Sequence, residues 1–313
     1  MRSSAYGLLA CLTVAALTGS ATQAAADDHQ TCAEGSGDVA IAACSRAIAA
    51  GRYGGKDLAD LYVDRGAEYK DKGDLDGAIA DFGQAIRLDP TNAHVYYNRG
   101  VTFQMKGDLD RAIADYDEVI RLDPKIALAY SNRGMAYRAK GDLDRAIADY
   151  DQAIRVDPTF AVAYYNRGIV HRVKGDLDRA IADYDQAIRF DPQDAEVYNN
   201  RGAAYQAKGD LDRAIADYGE AIRLAPEYAA AYSNRGTVYR AKGDLDRAIA
   251  DYGQAIRADP RYADAYYNRG TILEARHDLQ GALADFKQFT ALAPSDPDGP
   301  SAVERVTKAL IAK

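Results

Sequence analysis

The chain has 313 residues, 48% of them hydrophobic, with 23 Tyr, no Trp and a formal charge of −8. That length suffices for a sizeable core. The acidic balance argues against nucleic-acid binding, which needs a basic surface to neutralise phosphates.

The first 26 residues differ in kind from the rest. Arg2 is their one charge, an apolar run extends from Gly7 to Leu17, and Ala24, Ala25 and Ala26 precede the acidic Asp27 and Asp28. A charged start, a short apolar run and small residues at its end are the parts of a cleavable secretory signal. Cleavage is expected after Ala26, which leaves 38 basic residues against 47 acidic ones, a charge of −9. The apolar run is shorter than a membrane span requires, and almost no apolar residue precedes Cys11 to make a lipid-attachment signal. An exported protein is expected, with no membrane insertion once the signal is removed.

Residues 27–58 carry the two remaining cysteines, Cys32 and Cys44. In an oxidising compartment they are expected to form a disulfide, with two buried thiols as the alternative. Closing a loop of that size contributes roughly 3 kcal/mol in the chain-entropy account.

From Ala59 onward the sequence repeats. Gly-Asp-Leu stands at 73, 107, 141, 175, 209 and 243, and His277-Asp278-Leu279 follows on the same step of 34. Arg-Gly keeps that interval from Arg65 to Arg269. Seven units result: 59–92, 93–126, 127–160, 161–194, 195–228, 229–262 and 263–296. The decamer GDLDRAIADY recurs unchanged in the middle five.

Two helices are predicted in each unit. In the one from Ala161, the first carries Tyr164, Arg167, Gly168 and His171 at helical spacing and ends at Lys174-Gly175, where Gly supplies a left-handed cap. Asp176 caps the second helix, and Asp178 falls in its first turn. Leu177, Ala180, Ile181, Tyr184, Ala187 and Ile188 then recur at i, i+3, i+4 spacing until Asp191-Pro192 stops the helix. The repeats show no strand-like alternation.

This period and pattern resemble the tetratricopeptide repeat family over 238 residues. In the unit from Ala127 the family's positions fall on Tyr130, Arg133, Gly134, Tyr137, Ala146, Tyr150, Ala153 and Pro158. The resemblance implies an all-α, right-handed superhelical solenoid of helix-turn-helix repeats. It also implies a non-catalytic scaffold that binds a peptide or helix of another protein in a concave groove lined by the first helices. No cofactor is implied.

Two departures from the family need physical reasons. Tyr stands where Trp is usual, which keeps an aromatic knob of smaller volume. Arg stands where Leu is usual, in all seven units, and each unit has an Asp sixteen residues later. Those positions lie level across an antiparallel hairpin, so intra-repeat ion pairs are expected, Arg133–Asp149 and Arg167–Asp183 among them. An anion site built on the Arg is the alternative.

The ends differ from the interior. GDLDGAIADF and HDLQGALADF, the decamers from Gly73 and His277, both replace the interior Arg by Gly and Tyr by Phe, as terminal repeats lacking one neighbour do. Ala40, Cys44 and Ala47 reproduce the spacing of a second repeat helix, so 27–58 is expected to be a degenerate half-repeat in which the Cys32–Cys44 bridge substitutes for missing packing. Gly51 to Gly55 would hold its excess length. This arrangement is similar to that of exported bacterial repeat proteins, which implies a periplasmic location. At the other end, within 297–313, Ser301 to Ala312 is predicted to form an amphipathic capping helix after a turn from Ser295 to Pro300.

Catalytic and metal residues are not expected. The four His have no ligand spacing, and the Asp-x-Asp of the decamer lacks the further oxygens and closing Glu of a calcium loop. Five identical copies also cannot supply the two distinct carboxyl environments that hydrolysis requires.

Candidate partner-binding residues come from first-helix positions 2, 5, 6, 9, 12 and 13 of each unit, the family's groove positions. Asn fills position 6 in units two to seven, and Asn98, Asn132 and Asn166 form the part of that ladder expected to bond an extended peptide backbone, with solvated helix Asn kept by repeat duplication as the alternative. Units two to four add Tyr97, Val101, Met105, Leu128, Met135, Arg138, Val162, Tyr165, Ile169, Arg172 and Val173. Units five to seven are smaller and more polar there, with Glu196, Gln206, Thr237 and Glu274. An apolar, Met- and Tyr-rich stretch beside Arg is the composition of a binding hot spot with a preference for acidic groups. Position 5 is never Lys, which argues against the family's carboxylate-clamp mode. An envelope carbohydrate- or small-molecule-binding protein, and a self-assembling structural protein, are the alternatives.

Overall fold

A computed structural model describes residues 28–312; the expected signal and its cleavage site after Ala26 lie outside them. All regular structure among the described residues is helical. After α1 (28–34) come α2 (Gly37–Ala49), α3 (Gly55–Asp71), α4 (Leu75–Leu88), α5 (Ala93–Met105), α6 (Leu109–Leu122), α7 (Ala127–Ala139) and α8 (Leu143–Val156). These belong to a first compact unit that ends at Pro158. The second unit holds α9 (Ala161–Val173), α10 (Leu177–Phe190), α11 (Ala195–Ala207), α12 (Leu211–Leu224), α13 (Ala229–Ala241), α14 (Leu245–Ala258), α15 (Ala263–Ala275), α16 (Leu279–Leu292) and α17 (Asp298–Ile311). Within each unit consecutive helices from α2 onward pack on one another, the signature of an all-α repeat solenoid. No helix among the described residues is long and apolar enough to cross a membrane.

The decamer forms the corner of each repeat. Gly141 adopts φ 81°, a left-handed conformation that costs Gly little. This lets the Asp142 N–H donate to Tyr137 O at 2.9 Å and the Gly141 N–H to Arg138 O at 2.9 Å, closing α7. Asp142 then caps α8 by accepting from the Arg145 N–H at 3.1 Å. Ala146, Tyr150 and Ala153 form the fully buried stripe of α8. The Tyr150 ring packs against α7 at Gly134, where an added Cβ would come within 2.8 Å of Cε1. The Arg-Gly signature therefore has a steric half, the close approach of the ring.

Its other half is electrostatic. In all seven repeats the Arg fork clasps the Asp sixteen residues later: Nε and Nη2 donate to the two carboxylate oxygens at 2.6 to 2.9 Å. Each of these Asp is nearly closed to solvent, and burial of a charge is tolerable only with such a partner. The third nitrogen joins neighbouring repeats in places. Arg133 Nη1 reaches Asp117 at 2.5 Å, and Arg201 Nη1 reaches Asp185 at 2.6 Å.

Both ends are covered. Cys32 and Cys44 are bonded, S–S 2.11 Å, and pack with Ala43, Ala47 and Leu61. Helix α2 occupies the place of a preceding second helix: Arg65 Nη1 donates to Ser45 Oγ at 3.0 Å, and the Gly37 N–H donates to Glu68 at 2.5 Å. Helix α3 starts at Gly55, four residues before the expected unit boundary at Ala59, because Lys56, Asp57 and Leu58 continue the helix and Leu58 packs onto the cysteine cluster. At the far end α17 buries Ala302 and Val306 against α16, and Arg305 forks onto Glu274 at 2.7 and 2.8 Å. Helix α17 begins at Asp298, not Ser301, since Pro300 in a first turn needs no hydrogen-bonding N–H.

Candidate functional site

The expected binding residues lie on α5, α7 and α9. Met105 and Leu128 are large apolar side chains left open to solvent in the first unit, 57% and 43% exposed. Val162 and Val173 are the corresponding pair in the second, 47% and 62% exposed. These four make up most of the large exposed apolar side chains among the described residues, the others being Val39, Leu88 and Ile311. Within each unit, exposed apolar groups of this size on the first helices mark a surface suited to contact with another molecule.

The aromatic positions do more structural work. Tyr97 is half-buried with its ring 6.1 Å from that of Tyr116, and Tyr165 stands in the same relation to Tyr184, again at 6.1 Å. Burial raises the Tyr97 phenol above its ordinary pKa, a shift that the hydrogen bond from Asn132 partly offsets. Tyr165 is raised by burial first and by Glu196 next. Both rings are therefore neutral and hydrogen-bonding at physiological pH. Ile169 packs on the Tyr184 core and is half-buried, as is Met135.

Arg138 and Arg172 are half-buried at one register position of their repeats. Arg172 Nε is buried without a hydrogen-bond partner among the described residues. In the repeats with Gln at this position, the buried phenol is satisfied: Tyr116 donates to Gln104 at 2.9 Å and Tyr218 to Gln206 at 2.8 Å. Arg has no acceptor to offer, and Tyr150 Oη is buried without a partner. Among the described residues no group of His, Cys, Asp or Glu is arranged to hold a metal. A depression of about 490 Å³ lies at the turns, lined by Lys106, Gly107, Asp108, Leu109, Asp110 and Lys140. It is spanned by the ion pair of Lys140 with Asp110.

Comparison with known proteins agrees with this architecture. Residues 131–195, and again 93–126 and 195–228, match patterns described as tetratricopeptide repeat, and residues 66–107 and 236–276 match one described as TPR repeat. The chain belongs to the tetratricopeptide repeat family.

No curated protein matches this tetratricopeptide repeat chain at a significant level. Among solved structures, a tetratricopeptide repeat protein from Parabacteroides merdae is similar at TM-score 0.60 and 21% identity, over 80% of this chain and 98% of that one. The Cut9–Hcn1 tetramer of APC/C is similar at TM-score 0.60 and 18% identity, over 85% of this chain and 52% of that one, so the chain spans about half its length. These likenesses concern the fold. YrrB, a TPR protein with an unusual peptide-binding site, is similar at TM-score 0.50 and 26% identity, over 59% of this chain and 95% of that one.

One expectation needs correction. The Asn at position 6 is not a free ladder for a peptide backbone. Asn132 and Asn166 are 7% and 5% exposed, and Asn132 Nδ2 donates to Tyr97 Oη of the preceding repeat at 2.9 Å. Asn200 does the same to Tyr165 at 3.0 Å, Asn234 bonds Asn199 at 3.0 Å, and Asn268 accepts from Arg240 at 3.1 Å. Within the repeats these amides tie position 6 of one first helix to the helix before it. Asn98 is half-buried. Glu274, read as part of a polar groove, is likewise consumed by Arg305 of the capping helix. The sequence signal for the Asn bonds was a separation of 35 residues, one more than the period, which links position 5 to the next position 6.

Proposed function

We propose that this protein is an exported, periplasmic, non-catalytic scaffold that binds a segment of another protein on the first-helix faces of repeats two to four. Tetratricopeptide repeats generally mediate protein–protein interaction. The observation that carries the reading is the placement of Met105, Leu128, Val162 and Val173, exposed apolar side chains that no core requires. Arg138 and Arg172 stand on the same helices and favour acidic groups on the partner. The likeness to YrrB, whose peptide-binding site is described as unusual, supports a peptide as the kind of ligand. Export is supported by the signal-like first 26 residues and by the bonded Cys32–Cys44 pair, which an oxidising compartment would maintain. Coverage of the terminal repeats by α2 and α17 disfavours end-to-end stacking as the main role.

Affinity capture from the native compartment tests the reading. A Met105→Asp, Leu128→Asp variant that keeps its helical spectrum should lose the partner recovered with the wild type. Equal recovery by the two proteins would contradict it.

A further inference from the structure

The repeats differ at one position that the ion pairs make meaningful. In repeats two, three and four the twenty-fifth residue is an Asp: Asp117, Asp151 and Asp185. The carboxylates of Asp117 and Asp185 accept from the Nη1 of the next repeat's Arg at 2.5 and 2.6 Å. In repeats one, five and six it is a Gly: Gly83, Gly219 and Gly253. There the next Arg still spends Nε and Nη2 on its own Asp, and Nη1 is left over a residue with no side chain. An added Cβ would lie 3.8 Å from Arg99 Nη1 at Gly83 and 3.7 Å from Arg235 Nη1 at Gly219.

Gly253 is distinct from the other two. Its added Cβ would meet two guanidinium nitrogens, Arg269 Nη1 at 3.5 Å and Arg257 Nη1 at 3.8 Å. Arg269 is fixed by its fork onto Asp285, both bonds 2.8 Å long. Arg257 is held through Nε by the neutral Gln254 at 3.1 Å. At Gly219 the equivalent Arg223 is instead drawn off by the Glu220 carboxylate at 2.7 Å. The Gly253 notch thus keeps one positive charge that no carboxylate among the described residues balances, with two donors converging where other repeats place an acid.

We propose that the notch over Gly253, between α14 and α15, binds an oxyanion through Arg257 and Arg269, and that the ligand it fits is the carboxylate of an acidic side chain. Charge-assisted bonds from two guanidinium groups give such a contact both strength and direction. The proposal is independent of the first-helix reading, because Gly253 and Arg257 lie on the second helix α14 and Arg269, on α15, lies outside repeats two to four.

The side-chain Nε–Hε resonances of the mature protein, titrated at constant ionic strength, test this. The probes are a capped aspartate peptide, sodium acetate and inorganic phosphate. Saturable shifts are expected at Arg257 and Arg269, with a dissociation constant on the order of millimolar. Arg133 and Arg201, whose Nη1 groups are taken by Asp117 and Asp185, should not respond. Gly253→Asp supplies the acid internally, as repeats two and four do, and should weaken each probe at least tenfold while raising Tm. Arg257→Gln should weaken binding similarly without a rise in Tm. Absence of a saturable shift, equal shifts at Arg133 and Arg201, or unchanged binding by Gly253→Asp would each overturn the proposal. Tighter binding of phosphate than of the aspartate peptide would overturn the carboxylate assignment.

Discussion

Arg133 and Asp149 meet across the two helices of one repeat through parallel hydrogen bonds of 2.8 and 2.6 Å. The side chains are 19% and 6% exposed, so removing one leaves the other charged and largely dry. Asp149→Ala should cost about 3 kcal/mol in urea unfolding. Arg133→Leu combined with Asp149→Ala should recover most of that, because the family's usual apolar packing returns. Lys140→Ala breaks the exposed bridge to Asp110 and should cost less than about 1 kcal/mol, declining further in salt.

His171 occupies the first-helix aromatic position that holds Tyr137, Tyr205 and Tyr239 in other repeats. Those rings stack under Arg145, Arg213 and Arg247 at 4.4, 4.3 and 4.7 Å. His171 is 8% exposed, and burial is the main cause holding its pKa below the ordinary imidazole value. A depressed folded-state pKa contributes stability that is present above the unfolded value and is lost as pH falls through the folded one. Thermal stability should therefore decline below about pH 6.5. His171→Tyr should abolish that slope and add about 0.5–1 kcal/mol by offering Arg179 a ring.

His277 adopts φ 62° where the preceding repeats have Gly, and His277→Gly should stabilise the last hairpin by about 1 kcal/mol. Gly134→Ala drives a methyl into the Tyr150 ring and should destabilise by about 1–3 kcal/mol. Urea midpoints of the two variants should move in opposite directions.

The hairpin was legible in the sequence because its determinants are local. Gly141 and Asp142 end one helix and cap the next within two residues, and the Arg133–Asp149 match follows from level positions across a single turn. What was misread depends on how one repeat sits on the next. Asn132 looked like surface because its own helix says so, and only the Tyr97 hydroxyl one repeat earlier makes it interior. The early start of α3 was missed for a related reason: the residues from Gly51 to Gly55 read as loop until Leu58 has the cysteine cluster to pack on. Of the candidate site, the exposed apolar residues were legible and the polar ladder was not.

The Cys32–Cys44 bond and the export reading stand together. The mature protein should begin at Asp27 and resist alkylation until reduced. Reduction should cost roughly 3 kcal/mol of local stability. In a repeat array the loss should stay near the end that causes it, so hydrogen exchange should quicken in α2 and α3 and remain unchanged in α13 to α16.

On the proposed reading the repeated decamer is structural and binding resides in the first-helix residues between its copies. A photocrosslinking amino acid placed in turn at Met105, Leu128 and Val162, and at Arg111 and Arg145 within the decamers, tests it in the native compartment. One discrete crosslinked partner is expected from the first three positions and none from the last two. Crosslinks to that partner from Arg111 and Arg145, with none from Met105, Leu128 or Val162, would contradict it.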